Sequence, residues 1–248
     1  MSPGRRPKPG EPTLSVIVPA YNEEPWLPAT LAALQEALAE LSVPTELIVV
    51  DNNSSDGTAA LARSRGARVV FEPVNQIARA RNTGARNARG AYLLFVDADT
   101  HVSAALLQQA VTALQGGQCC GGGAPVAFEP GVPSWAQWGL AAWNGVSRHL
   151  HVAAGAFIFC LREGFQAVGG FNEAVYASEE LWLSRRLRAW GRRRGLAFII
   201  LDTPVLTSGR KLEWYSPLQQ FALLLMLLVF PFAVRFRSLS GFWYRRPR

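Results

Sequence analysis

The chain has 248 residues and a mass of 27.1 kDa, enough for one domain that buries roughly 70–75% of its unfolded surface. With 49% hydrophobic and 17% charged residues, it is neither disordered nor collagen-like. The 25 Lys and Arg exceed the 18 Asp and Glu for a net charge of +7, and only Lys8 and Lys211 are lysines; a charge that is nearly all guanidinium favours phosphate or acidic-lipid partners.

Residues 1–12 read as a disordered arm, broken by Pro3, Pro7, Pro9 and Pro12. The stretch is basic with no apolar run behind it, so a signal peptide is not expected there. Strand-like Leu14–Val18 is followed by helical spacing over Leu27–Leu41, then by a second apolar run, Glu46–Val50. The loop Asp51–Gly57 offers helix caps to a helix over Ala59–Arg65. Arg68–Phe71 reads as a strand, Ile77–Arg89 as a helix and Tyr92–Val96 as a strand ending at Asp97. This alternation predicts an α/β fold with βαβ units and a mostly parallel sheet. Further on, glycines at 116, 117 and 121–123 punctuate a strand expected near Ala124–Phe128. Trp135–His151 and Glu179–Trp190 have helical patterns; Gly155–Cys160, Ala197–Leu201 and Val205–Thr207 read as strands. Cys119, Cys120 and Cys160 have no disulfide or zinc spacing, and a reducing cytosol is the expected compartment.

The tail, 213–248, differs in character. Phe221–Val234 is a 14-residue apolar run, shorter than the ~20 residues a spanning helix needs. Arg235, Arg237, Arg245, Arg246 and Arg248 follow among Phe236, Phe242, Trp243 and Tyr244, and no acid follows Glu213. That mixture suits contact with an anionic leaflet. The expected location is therefore cytoplasmic, on the inner face of a membrane.

Four of the five aspartates fall at two strand ends, Asp51 with Asp56 and Asp97 with Asp99. Ligands of open parallel sheets bind at the carboxyl ends of strands. Two carboxylates spaced Asp97-Ala98-Asp99 are half a site for a hard cation that takes its other ligands from phosphates and water.

Five ordered motifs make the chain resemble the family 2 glycosyltransferases over about residues 13–210, as a small non-processive member whose domain is expected to span 13–212. They are Ser15–Glu24 (SVIVPAYNEE), Val49–Thr58 (VVDNNSSDGT), Ala80–Gly84 with Ala88–Gly90, Leu94–Thr100 (LFVDADT), and Gly169–Glu173 (GGFNE) before Ser178–Glu180. The resemblance implies a GT-A fold, with a Rossmann-like central sheet flanked by helices, and an inverting, metal-dependent transfer from a nucleotide-sugar, UDP-linked by expectation. It implies a nucleotide-binding loop of Pro19, Ala20, Tyr21 and Glu23, and a nucleobase contact from Asp51. Asn52-Asn53 departs from the family's Asp-Gly at this place, which bears on base preference. Asp56 reads as a helix cap. Arg79, Arg81 and Arg86 are candidates for the donor pyrophosphate, Arg81 foremost; Arg210, in Ser208–Lys211, is another. Asp97 and Ala98 would line the ribose. Asp97 and Asp99 would hold Mg2+ or Mn2+. Glu180 would be the base that takes the acceptor proton, with Glu179 supporting it. No third metal ligand is identified among His101, His149 and His151, and the acceptor is open, a lipid-linked or membrane-proximal one being the expectation.

Two other classes stay in view. A non-catalytic glycan-binding or scaffolding protein would not need Asp97, Asp99, Glu179 and Glu180. A nucleotidyltransferase would want a Gly-rich, lysine-bearing phosphate loop after the first strand, which Pro19–Glu24 is not. Nucleic acid is not an expected partner, since the arginine clusters lack a reading helix or RNA-binding motif.

Overall fold

The computed structural model describes residues 11–210. The arm expected over 1–12 lies almost wholly outside the described residues, as does the apolar and basic tail.

The chain alternates strand and helix through its first half: β1 (Leu14–Ala20), α1 (Leu27–Ala39), β2 (Thr45–Asp51), α2 (Thr58–Ser64), β3 (Arg68–Phe71), α3 (Ile77–Asn87) and β4 (Tyr92–Val96). It continues with β5 (Thr100–His101), α4 (Ala104–Gln115), β6 (Cys119–Gly123), β7 (Val126–Phe128), α5 (Ser134–Leu150) and β8 (Phe157–Leu161). The last elements are α6 (Arg162–Ala167), α7 (Glu179–Arg192), β9 (Ala197–Ile200) and β10 (Val205–Thr207). Among the described residues these strands build a seven-stranded sheet, in the order β3-β2-β1-β4-β8-β6-β9, and a small sheet, β5-β10-β7.

β1, β2, β3 and β4 run parallel, while β8 enters antiparallel between β4 and β6. Strands covered on both faces need continuous apolar runs, and β1 is buried at all seven positions. One face carries Val16, Val18, Leu94 and Phe159 against Leu27, Leu31 and Leu34 of α1 and Leu107 and Val111 of α4. The other carries Ile17, Ile48 and Phe95 against Ala78, Ala80 and Ala85 of α3 and Leu183 and Leu187 of α7. The mostly parallel α/β sheet expected from the alternation is what the chain forms.

The glycine-rich middle differs from expectation. The strand expected near Ala124–Phe128 forms as β7 in the small sheet, and an unexpected strand, β6, lies on Cys119–Gly123 in the large one. Its glycines are there for lack of room: a Cβ on Gly122 would overlap the Ile199 carbonyl oxygen, and one on Gly121 would meet Phe159 O at 2.6 Å. Beyond the expected elements the chain forms β5, α4 and α6 as well as β6.

Opposite the strand ends that carry the aspartates, Glu46 fastens the sheet. Its carboxylate accepts from Ser15 Oγ at 2.7 Å and from the Arg89 amide at 2.6 Å, and Gly90 N donates to Ser15 Oγ at 2.8 Å. A Cβ on Gly90 would stand 2.7 Å from Ser15 N. The Ala88–Gly90 motif is thus a joint of the fold.

Candidate functional site

Strand register gathers the motif residues at one end of the sheet. Ala20 pairs with Asp51, and Ile17 with Phe95, which brings the ends of β1, β2 and β4 side by side. Beyond β4, Thr30 Oγ1 of α1 donates to the Ala98 carbonyl at 2.8 Å, and the Asp97 amide donates to Ala156 O at 3.4 Å. Because β8 is antiparallel to β4, the segment leading into it, Val152–Ala156, arrives at the same end.

Arg81 joins two motifs. It projects from α3, is 1% exposed, and donates from Nη1 to Glu179 Oε1 at 2.5 Å and from Nη2 to Asp97 Oδ1 at 2.8 Å and Gly155 O at 2.9 Å. Burial opposes its charge, yet the carboxylates of Asp97, Glu179 and Glu180 outweigh that and hold its pKa above the ordinary value. Glu179 is buried and Glu180 half-buried at the start of α7, behind Ser178 in the left-handed conformation with φ 61°. The Glu180 carboxyl is pushed up to about 8 from 4.5, first by burial and then by the Glu179 carboxylate, against its own backbone amide and Arg81.

Arg210 makes the second junction. Nε donates to Asp99 Oδ2 at 2.8 Å, Nη2 to Glu23 Oε1 at 2.8 Å, and Nη1 lies 2.7 Å from Glu23 Oε2. Ser208 Oγ also donates to Asp99 Oδ2, at 2.9 Å, and the guanidinium lies 5.3 Å from the Trp26 ring centre. Such forked pairing is the geometry in which arginine and carboxylate interact best. Its pKa too is raised: the Glu23 and Asp99 carboxylates prevail over burial. Five carboxylates, from Glu23, Asp97, Asp99, Glu179 and Glu180, thus share two buried guanidiniums.

Other expected residues fall around this row. Pro19 and Ala20 end β1, buried, and Tyr21 is exposed just beyond. Asp51 is buried at the end of β2 and accepts from Ser54 N at 3.0 Å. Asp56 accepts from Thr58 N at 3.0 Å, one residue ahead of the cap position that Gly57 occupies on α2. Asn52 turns away from the strand ends: its side chain bonds Glu72 O, Val74 O and Gln76 N at 3.1, 2.6 and 3.0 Å. An aspartate could not make the first two bonds, so the Asn52 departure serves the loop before α3. Arg79 bonds Glu72 and Glu173, and Arg86 bonds Thr83, so neither joins the carboxylate row. His101 faces Glu129 at 3.6 Å, while His149 and His151 are exposed at the end of α5. Among the described residues no three His, Cys, Asp or Glu are grouped to hold a metal by themselves.

Sequence reasoning missed what holds Glu179 and Glu180 in place. Gln76 Nε2 donates to Glu173 O and Val175 O at 2.8 and 2.9 Å, while Asn82 bonds Phe171 N, Phe171 O and Glu173 Oε1 at 2.9–3.0 Å. These bonds lash the Gly169–Glu173 motif to α3, and α7 starts from that loop. Asn82 and Glu173 lay inside quoted motifs, which was the available signal; Gln76 had none.

The family model described as Glycosyl transferase family 2 matches residues 15–169. Curated relatives include the uncharacterized glycosyltransferase EpsJ of Bacillus subtilis (strain 168), 35% identical over 104 residues, which are 40% of this chain and 29% of EpsJ. Glycosyltransferase AglE of Haloferax volcanii is 34% identical over 111 residues, 42% of this chain and 36% of AglE. The match therefore spans less than half the length of either relative. Among solved structures, mannosyltransferase PcManGT from Pyrobaculum calidifontis, in complex with GDP-Man and Mn2+, superposes with TM-score 0.60 at 23% identity, covering 82% of this chain and 58% of that one. Glucosyl-3-phosphoglycerate synthase from Mycobacterium tuberculosis, with Mn2+, UDP and glucosyl-3-phosphoglycerate, gives 0.59 at 22% identity, covering 90% and 80%. At these identities the likeness carries the fold, which is that of the GT-A glycosyltransferases.

Proposed function

The chain belongs to glycosyl transferase family 2, and from that premise we propose that it transfers a sugar from a nucleotide-sugar, UDP-linked in our reading, to an acceptor hydroxyl with inversion at the anomeric carbon. One observation carries the reading: buried Arg81 ties Asp97, at the donor-side strand end, to Glu179, beside the candidate base. The solved neighbours hold GDP-Man or UDP together with Mn2+, in line with a nucleotide-sugar donor here.

The residues present fit a divalent cation. Even with the Glu180 carboxyl protonated, Glu23, Asp97, Asp99 and Glu179 outnumber the two guanidiniums, and Asp97 and Asp99 are hard oxygen donors separated by one residue. Asp97 and Asp99 would hold Mg2+ or Mn2+, with water and the donor diphosphate completing its shell. When bound, the cation would supply Lewis-acid stabilisation of the leaving diphosphate. The protein's own part is separate. Pro19, Ala20, Tyr21 and Asp51 border the place for the nucleotide, and Glu23 and Asp99 fix Arg210 beside it. In its ionised form, which gains population as pH rises towards and past about 8, Glu180 takes the acceptor hydroxyl proton onto its carboxylate as the oxygen attacks the anomeric carbon and the bond to the diphosphate breaks. Glu179, held by Arg81, keeps the base in position.

In the same reading the protein works on the cytoplasmic side of a membrane, with segment 213–248 in contact with it. Among the described residues no helix is long and apolar enough to cross a membrane. The deciding experiment is a thermal-shift panel of nucleoside diphosphates with and without Mn2+. One nucleotide should stabilise the protein only with metal, by about 2.7 kcal/mol at 100 times its Kd, and Asp99→Ala should abolish the shift. A folded protein that no nucleotide stabilises would instead favour a non-catalytic binding role.

A further inference from the structure

Helix α5 turns only a narrow side to the rest of the protein. Its buried residues are Ala136 and Ser147, with Leu140 and Trp143 partly buried against the core. At 100° per residue, Trp135, Trp138, Ala142, Val146 and Leu150 form a second stripe. All five are exposed, Trp138 at 77%, where a surface helix ordinarily carries polar side chains. No acid occurs in residues 134–150, and Arg148 and His149 lie in the last turn. At that end Arg188 of α7 donates to the Leu150 carbonyl. Arg185, Arg188 and Arg192 recur three and four residues apart, so these exposed arginines line one side of α7.

We propose that α5 and the arginine row of α7 form a docking surface for an anionic lipid bilayer, with α5 lying in the plane of the interface. An apolar stripe beside arginines, with no acid on either stretch, is complementary to anionic headgroups above acyl chains, and exposed tryptophans prefer that depth. Seventeen residues span about 25 Å as a helix, the right scale for lying on a bilayer and too short for crossing one. The described chain also ends beside this helix: a Cβ on Gly209 would overlap Val132, two residues before α5.

The chain runs on from this helix to the carboxylates. Five residues after α5, Gly155 O accepts from Arg81, and Ala156 O accepts from the Asp97 amide. Resting on the reading above, this would bring an acceptor hydroxyl borne by a lipid to Glu180; the docking itself does not depend on it.

The test uses the full chain with an environment-sensitive fluorophore on Val146→Cys; Cys119, Cys120 and Cys160 are buried and will not take the label. Phosphatidylcholine vesicles containing phosphatidylglycerol should shift the emission to the blue, and pure phosphatidylcholine should do so far less. A label on Ala141→Cys, off the stripe, should stay in water. Trp138→Glu should weaken vesicle binding about tenfold. The proposal is overturned if the chain floats with vesicles while the Val146 label remains in water, since another segment then makes the contact. It is equally overturned if the blue shift grows with protein concentration without vesicles, since a second copy then covers the stripe. A vesicle-dependent shift in a protein that no nucleotide stabilises would uphold the docking and sink the enzyme reading alone.

Discussion

Glu180 keeps its proton into the neutral range because its carboxyl is buried beside Glu179, and that has a consequence for stability. With a folded pKa of about 8 against 4.5, the folded state holds more protons than the unfolded chain between these values. Stability therefore falls as pH rises from 4.5 to 8 and levels off above. Glu180→Gln removes the loss: melting in EDTA should show a higher Tm than the parent at pH 8 and an equal one near pH 4.5. The same variant should lose about 10²–10⁴-fold in kcat while still binding nucleotide. At Arg210 the balance reverses. Arg210→Ala leaves Glu23 and Asp99 buried without their shared guanidinium, at a cost of about 3–5 kcal/mol. Mn2+ should then raise the Tm of the variant more than that of the parent, which paired melts with and without the ion would check.

Among the elements, β6 is the least tolerant and α5 the most. Gly122→Ala drives a methyl group into the Ile199 carbonyl of the neighbouring strand and should cost about 3 kcal/mol or prevent folding. Gly139→Ala, with open space around it in α5, should stabilise by about 0.5–1 kcal/mol; urea unfolding of both variants tests the contrast. This strand also shows where the sequence stopped being legible. β2 and β4 announce themselves as apolar runs closed by Asp51 and Asp97, and β1 as an apolar run closed by Pro19. A run of glycines carries no alternation to read, so β6 gives no strand signal, whereas the neighbouring β7 does. Helix α4 does carry a readable pattern, in Leu106, Leu107, Ala110, Val111 and Leu114 behind the Ser103 cap. The bonds from Gln76 and Asn82 to Phe171, Glu173 and Val175 join residues 89–99 positions apart, and Arg210 reaches Glu23 across 187. Spacing in one dimension does not encode such pairings, whereas burial in three makes them obligatory.

The whole molecule is electrically polar: a chain of net charge +7 keeps its carboxylate row at one end of the sheet and exposes arginines along α7. If that positive side meets anionic lipid, association with vesicles should weaken steadily as salt rises from low ionic strength to about 0.5 M, where the Debye length has fallen to a few ångströms. Sedimentation at graded salt measures this, and an unchanged bound fraction would mean that apolar contact alone holds the protein there. The carboxylate row has a different consequence, for the order in which reactants are admitted. A bare nucleoside diphosphate approaching Glu23, Asp97 and Asp99 meets like charge, whereas its metal complex does not. Initial-rate patterns should therefore show compulsory order, with the cation preceding the nucleotide or accompanying it, and free diphosphate should be a poor competitor until metal is supplied.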